Sequence, residues 1–180
     1  FTKRIQISAV STIISLAITA IISYTFVQIS SIFGFGQSDA FILETGFLGS
    51  INLQGILLAG IIISVLGVLD DVTTAQTAAV EELHKTNPTL SIKNLYEKGL
   101  SIGREHIASL INTLILVYAG AALPLFLLLT LQKSQPLWIL LNSEFMAEEL
   151  VRALVGSITL ILAGPGSTPL ASFIFWVKIL

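Results

Sequence analysis

Cysteine is absent from the 180-residue chain, which excludes a disulfide framework, a thiol nucleophile and a thiolate metal site. Charge is scarce as well. Asp, Glu, Lys and Arg make up 11% of the residues against 54% hydrophobic ones, and the mean hydropathy is +0.90. A soluble domain of this size could not hide so much apolar surface. The nine basic residues are scattered and the formal net charge is -2, so no basic phosphate-binding surface is available and nucleic acid is excluded as a partner. Methionine occurs once, at Met146, and the first residue is Phe1. The chain is therefore expected to be a fragment or processed product of a longer protein.

What is present is a set of four long apolar runs, at about residues 5–32, 49–69, 107–131 and 151–177, free of charge except for Arg152 at the start of the fourth. A bilayer core about 30 Å thick needs roughly 20 apolar residues in a helix, and each run is long enough. A signal peptide is excluded for the first run, because its apolar core would be only about 7 to 15 residues long. Lipid offers the backbone no hydrogen-bond partner, and the runs lack the period of two of a barrel strand, so helices are predicted. The expected architecture is one all-α polytopic transmembrane bundle over residues 1–180, with a helical hairpin between spans two and three.

Orientation follows from the basic residues. Lys3, Arg4, Lys85, Lys93, Lys98, Arg104 and Lys178 fall on one side, and Lys133 and Arg152 on the other. The positive-inside rule then puts both ends of the chain and the hairpin in the cytoplasm. In that hairpin the second span is expected to continue as helix to Leu83 and to break at Asn87 and Pro88. Ser91 should cap a short amphipathic helix that stops at Gly99, and Ser101 should cap the third span.

Asp70 and Asp71 close the second span, where a carboxylate either serves an ion or proton site or simply marks the headgroup boundary. Thr73, Thr74 and Thr77 follow Asp70 at helical spacing as one polar stripe. Arg104 opens the third span and either pairs with Asp70 or Asp71 or snorkels to the headgroups. Asn112, Thr113 and Tyr118 lie inside the third span, where Asn112 either meets a substrate or ties helices together. Pro124 should kink that span by removing the bond to Gly120. Glu148 and Arg152 stand four residues apart and can pair, while Trp138 and Trp176 suit opposite interfaces.

The fourth span holds Gly164, Pro165, Gly166, Ser167, Thr168 and Pro169. An interruption between residues 163 and 168 is predicted, exposing carbonyls as in transporters, against the alternative of an architectural proline kink. His84 and His106 with their neighbouring glutamates show no compact metal-ligand spacing, and no phosphate-binding loop or nucleophile elbow occurs. No catalytic residue, metal or cofactor is expected, and an enzyme is not.

The residues from Gly67 to Asp71, Glu82-Leu83, Asn87-Pro88, Ile102-Gly103-Arg104, Asn112-Thr113-Leu114, Tyr118-Ala119-Gly120 and Leu123-Pro124, with the approach from Glu144 to Gly156, form a pattern. It resembles the YibE/F family of bacterial membrane proteins, whose carboxy-terminal part the whole chain would cover. The resemblance implies a multi-pass protein of the bacterial cytoplasmic membrane and no established activity. Gly164, Gly166 and Pro169 depart from the family's single proline.

Two functions are in view. A transporter or permease component would use the polar groups at the cytoplasmic ends of spans two and three. A non-transporting scaffold would instead bind a membrane partner protein or form a homo-oligomer, with the bilayer as its surroundings in either case.

Overall fold

The computed structural model describes residues 3–36, 51–131 and 136–177. Gly49, Lys133 and Lys178, used above for span limits and orientation, lie outside this range. The described chain is all helical: α1 (Lys3–Ile29), α2 (Leu53–Thr86), α3 (Ile92–Ala121), α4 (Leu123–Leu131), α5 (Leu137–Leu141) and α6 (Glu144–Val177). By length and composition α1, α2 and α3 can each cross a membrane. The residues of the fourth predicted span lie on the 34-residue α6, which is not one of these three.

Side-chain contacts fix the directions of the helices. Gln28 on α1 meets Gln54 on α2, and the hydroxyls of Thr12 and Thr73 lie 2.6 Å apart, so the two run antiparallel. Leu57 and Ile61 of α2 cluster with Val151 and Val155 of α6, while Val80 clusters with Ala171 and Phe175. These two helices are therefore parallel. On α3, Leu95 joins Val80, and the Tyr118 hydroxyl reaches Arg152. Thus α1 and α3 begin at the end where α2 and α6 finish, and successive long helices alternate in direction. α1, α2 and α6 pack together, and α3 lies across α2 and α6.

The interior explains why these helices suit lipid. Of the eight buried residues of α1, six are Ser or Thr: Ser8, Ser11, Thr12, Ser15, Thr19 and Ser23. α6 likewise buries Gly156, Thr159, Gly164, Ser167, Thr168 and Ser172. Large aliphatic side chains point outward instead, as Ile13, Ile21, Ile63 and Leu116 do. Small residues let helix backbones approach closely where lipid already satisfies apolar groups. Several of these hydroxyls bond back to the preceding turn, as Thr12 does to Ser8 O and Thr19 to Ser15 O, while those of Ser11, Ser23 and Ser172 have no partner among the described residues.

The hairpin between α2 and α3 forms as expected at its turn. α2 ends at Thr86 with Asn87 as cap, and the Ser91 hydroxyl accepts the Asn94 N–H at 3.2 Å. The helix that Ser91 opens does not stop at Gly99, however, and Ser101 caps nothing. α3 runs unbroken to Ala121. A Cβ on Gly99 would lie 2.8 Å from Val80 Cγ2 and 3.2 Å from Thr168 Cγ2, so this glycine serves close packing rather than termination. Four residues on, Gly103 faces the amide of Gln76 in the same way. The third span is divided near Pro124, as two helices separated at Ala122.

The predicted interruption at Gly164, Pro165, Gly166 and Pro169 is not found, because α6 is one helix from Glu144 to Val177. Pro165, Gly166 and Pro169 lie on its exposed face, while Ser167 and Thr168 are buried. Their hydroxyls donate to Ala163 O at 2.8 Å and Gly164 O at 2.6 Å. The turn is thus held from its inner face.

Candidate functional site

The site residues expected from sequence do not converge. Asp70, Asp71, Arg104, Asn112 and Thr113 are all exposed, and Tyr118 is half-buried. Among the described residues no ion pair joins Arg104 to either aspartate; the pairs present are Lys85 with Glu81 and Glu82, Lys93 with Glu97, and Arg152 with Glu149. The reason is register. Gly103 and Ile107 supply the inward face of α3, which turns Arg104 away from α2. Thr113 donates to Ser109 O within its own helix. Tyr118 leaves the set altogether, donating to Arg152 O on α6 at 3.4 Å.

Asp70 has different neighbours. It shares a cleft of about 540 Å³ with Thr74, Glu81 and Lys85 of α2 and Arg4, Ile5, Ser8 and Ala9 of α1. On α2 these residues recur at helical spacing, so they form one stripe. Lys85 and Glu81 are paired at 3.1 Å. Arg4 and Asp70 have no ion partner among the described residues and are the open charges of the cleft. Of the predicted polar stripe, Thr73 and Thr77 are buried and Thr74 is partly exposed. Thr73 therefore supplies the contact to α1, and Thr74 the lining.

The depth of Asp70 follows from the Thr12–Thr73 contact. In antiparallel register Arg4 stands level with Glu81, and Asp70 level with Ser15. Eleven residues of α1 separate those levels, about 16 Å at 1.5 Å per residue. Leu69, beside Asp70, clusters with Leu16, Ile107, Leu160 and Ala163, which lie midway along the apolar run of α6. At the level of Arg4 the outer surface is mixed: Ile5, Val10, Phe173 and Val177 are exposed beside the charged Lys3, Lys85, Lys93 and Glu97.

Beside this cleft, Gln76 joins three helices. It is buried, and its Nε2 donates to Gly99 O on α3 and to Thr168 Oγ1 on α6, each at 2.8 Å.

A second polar constellation, unseen in the sequence, occupies the other end. Glu144 Oε1 accepts the N–H groups of Phe33, Gly34 and Phe35 at 2.6, 2.7 and 3.2 Å, and Glu148 Oε1 accepts that of Gly36 at 2.8 Å. Four successive backbone donors thus receive two carboxyl groups one turn apart, and the three that converge on Glu144 resemble an anion-binding nest. Glu148 is committed here, so the expected pair with Arg152 does not form; Arg152 instead stands 3.6 Å from Glu149. The glycines at positions 34 and 36 are the sequence signal that could have pointed to it.

No group of three metal-ligating side chains occurs among the described residues. No curated protein and no solved structure matches the chain. A family model described as YibE/F-like protein matches residues 1–177, in line with the motifs from Gly67 to Pro124, and the chain belongs to that family.

Proposed function

We propose that the chain is a transport component of a bacterial cytoplasmic membrane, with Asp70 as an intramembrane binding group reached from the cytoplasm through the Arg4–Lys85 cleft. The observation that carries this reading is the position of Asp70, about 16 Å along the bundle from Arg4, in the lining of an open charged cleft. Carboxylates at bilayer depth are costly and are kept where they serve a pathway. Arg4 of α1 and Lys85 of α2, not Arg104 of α3, are the basic residues that share the cleft with Asp70. The basic residues at this end support an inside orientation for it and for both chain ends under the positive-inside rule.

Full-length protein in liposomes tests the reading. Vesicles holding a pH-reporting dye are challenged with a membrane potential and with gradients of alkali cations, amino acids or polyamines. Asp70→Asn keeps the shape of the side chain and removes its charge, so it should slow the flux at least about tenfold, about 1.4 kcal/mol of barrier. Flux equal to that of empty liposomes, or unchanged by Asp70→Asn, refutes the proposal.

One observation favours the scaffold reading. Ser101, Glu105, Ser109 and Asn112 form an exposed polar line along α3, an expensive face to give to lipid. If it meets a second copy, single cysteines at Ser109 and Asn112 should cross-link between chains in native membranes. Only monomers after oxidation would argue against self-association through α3.

A further inference from the structure

At the end of the bundle away from the Asp70 cleft, Glu148 is a buried carboxyl group that the transport reading leaves unused. It is 2% exposed and lies just before the apolar run of α6. Its Oε1 accepts the Gly36 N–H at 2.8 Å, and a Cβ on Gly36 would sit 2.6 to 2.8 Å from the three carboxyl atoms. No side chain fits there. The contact is therefore specified from both partners, and it ties the strap at residues 33–36 to α6.

The charges around Glu148 are few. On its own helix stand Glu144, occupied by the other three strap N–H groups, Glu149, and Arg152, which leans to Glu149. α3 contributes only the Tyr118 hydroxyl, at Arg152 O. The described strap, α5, and α2 as far as Leu69 carry no charged residue. Among the described residues three carboxyl groups thus share one cation, and Glu148 is the one removed from water.

We infer that Glu148 is a proton-binding site whose proton latches the strap onto α6. A neutral carboxyl keeps an oxygen free to accept the Gly36 N–H. Ionisation here places an unpaired charge out of water and beside two like charges, which favours its release to solvent and with it the release of the strap. Burial pushes the Glu148 carboxyl above its usual range; the Gly36 N–H opposes this, Glu144 adds to it, Arg152 opposes and Glu149 adds. A raised value means that the latched state holds the proton more tightly than a solvated carboxyl does, so the proton favours latching. The latch holds fully below the ordinary carboxylate value and is lost as pH rises through the raised one.

The cysteine-free sequence allows a single spin label at Phe35, whose side chain is exposed and whose N–H alone is engaged. With the full chain in nanodiscs, Phe35→Cys carrying a nitroxide should be restricted at about pH 4 and more mobile by about pH 8. Glu148→Gln is uncharged and retains the acceptor, so the label should stay restricted across that range. Glu148→Ala removes the acceptor, and the label should be mobile throughout. In Glu144→Gln the transition should persist. A wild-type signal that is flat with pH overturns the inference, as does a transition that survives in Glu148→Gln or vanishes only in Glu144→Gln. The readout is independent of any flux.

Discussion

Valine at position 34 should destabilise the folded bundle by about 3 kcal/mol or more, combining left-handed backbone strain with a backbone clash. Gly34 has φ +92°, a region where a β-branched residue is strained. A Cβ there would also lie 2.7 Å from both the carbonyl carbon and oxygen of Leu53. These are backbone atoms at the start of α2 and cannot rotate aside. Moving the strap to relieve the clash would pull its N–H groups from Glu144 and the Ile32 carbonyl from Gln54 Nε2, a contact of 2.6 Å. Unfolding by denaturing detergent in mixed micelles measures the loss. Asparagine separates the causes, since it tolerates the left-handed region but keeps the Cβ. A Gly34→Asn variant as stable as the parent would show that the Leu53 contact is unimportant.

Gln76→Ala should cost about 2 to 4 kcal/mol, the range of buried truncations that leave a cavity. The amide binds α2 to α3 and α6 at once, and Gly99 and Gly103 have no side chains to fill the space it would leave. Gln76→Leu fills most of that space. It leaves few groups unsatisfied, because Thr168 also donates to Gly164 O, so its cost should be about 1 kcal/mol, that of an interhelical hydrogen bond. A cycle with Thr168→Val, read by the same unfolding assay, isolates the bond. Equal losses for alanine and leucine would show that hydrogen bonding, not volume, holds the junction.

The contrast between Gln76 and Arg104 shows what the sequence could and could not reveal. The long helices were legible because uncharged runs of bilayer length admit few alternatives. Asn87 and Ser91 were legible because capping is local chemistry. Register between helices is not local, and it decided the rest. Asp70 was identified as a site candidate, yet its partner was sought on α3, because nothing in the chain announces that Thr12 meets Thr73. Gly99 reads as a stop in one dimension and as a contact in three. The prolines of α6 read as a break, but Ser167 and Thr168 hold the same turn from inside. Glu144 and Glu148 lie more than a hundred residues from the N–H groups they accept, a separation no spacing rule spans.

The hydroxyl-lined inner face of α1 inverts the usual direction of mutational harm. In a soluble core, damage comes from shrinking large side chains, and enlargement is the lesser fault. Here the bulky residues such as Ile13 and Ile21 face outward, where one apolar group can stand for another at little cost. Ser15, Thr19 and Ser23 sit where helices touch, and added methylenes there must part the backbones themselves. Variation should therefore be broad in size on the outside and narrow along the inner face of α1, with serine, threonine, alanine and glycine trading places there, while Leu57, Ile61 and Leu69 of α2 keep the ordinary sensitivity of an aliphatic core.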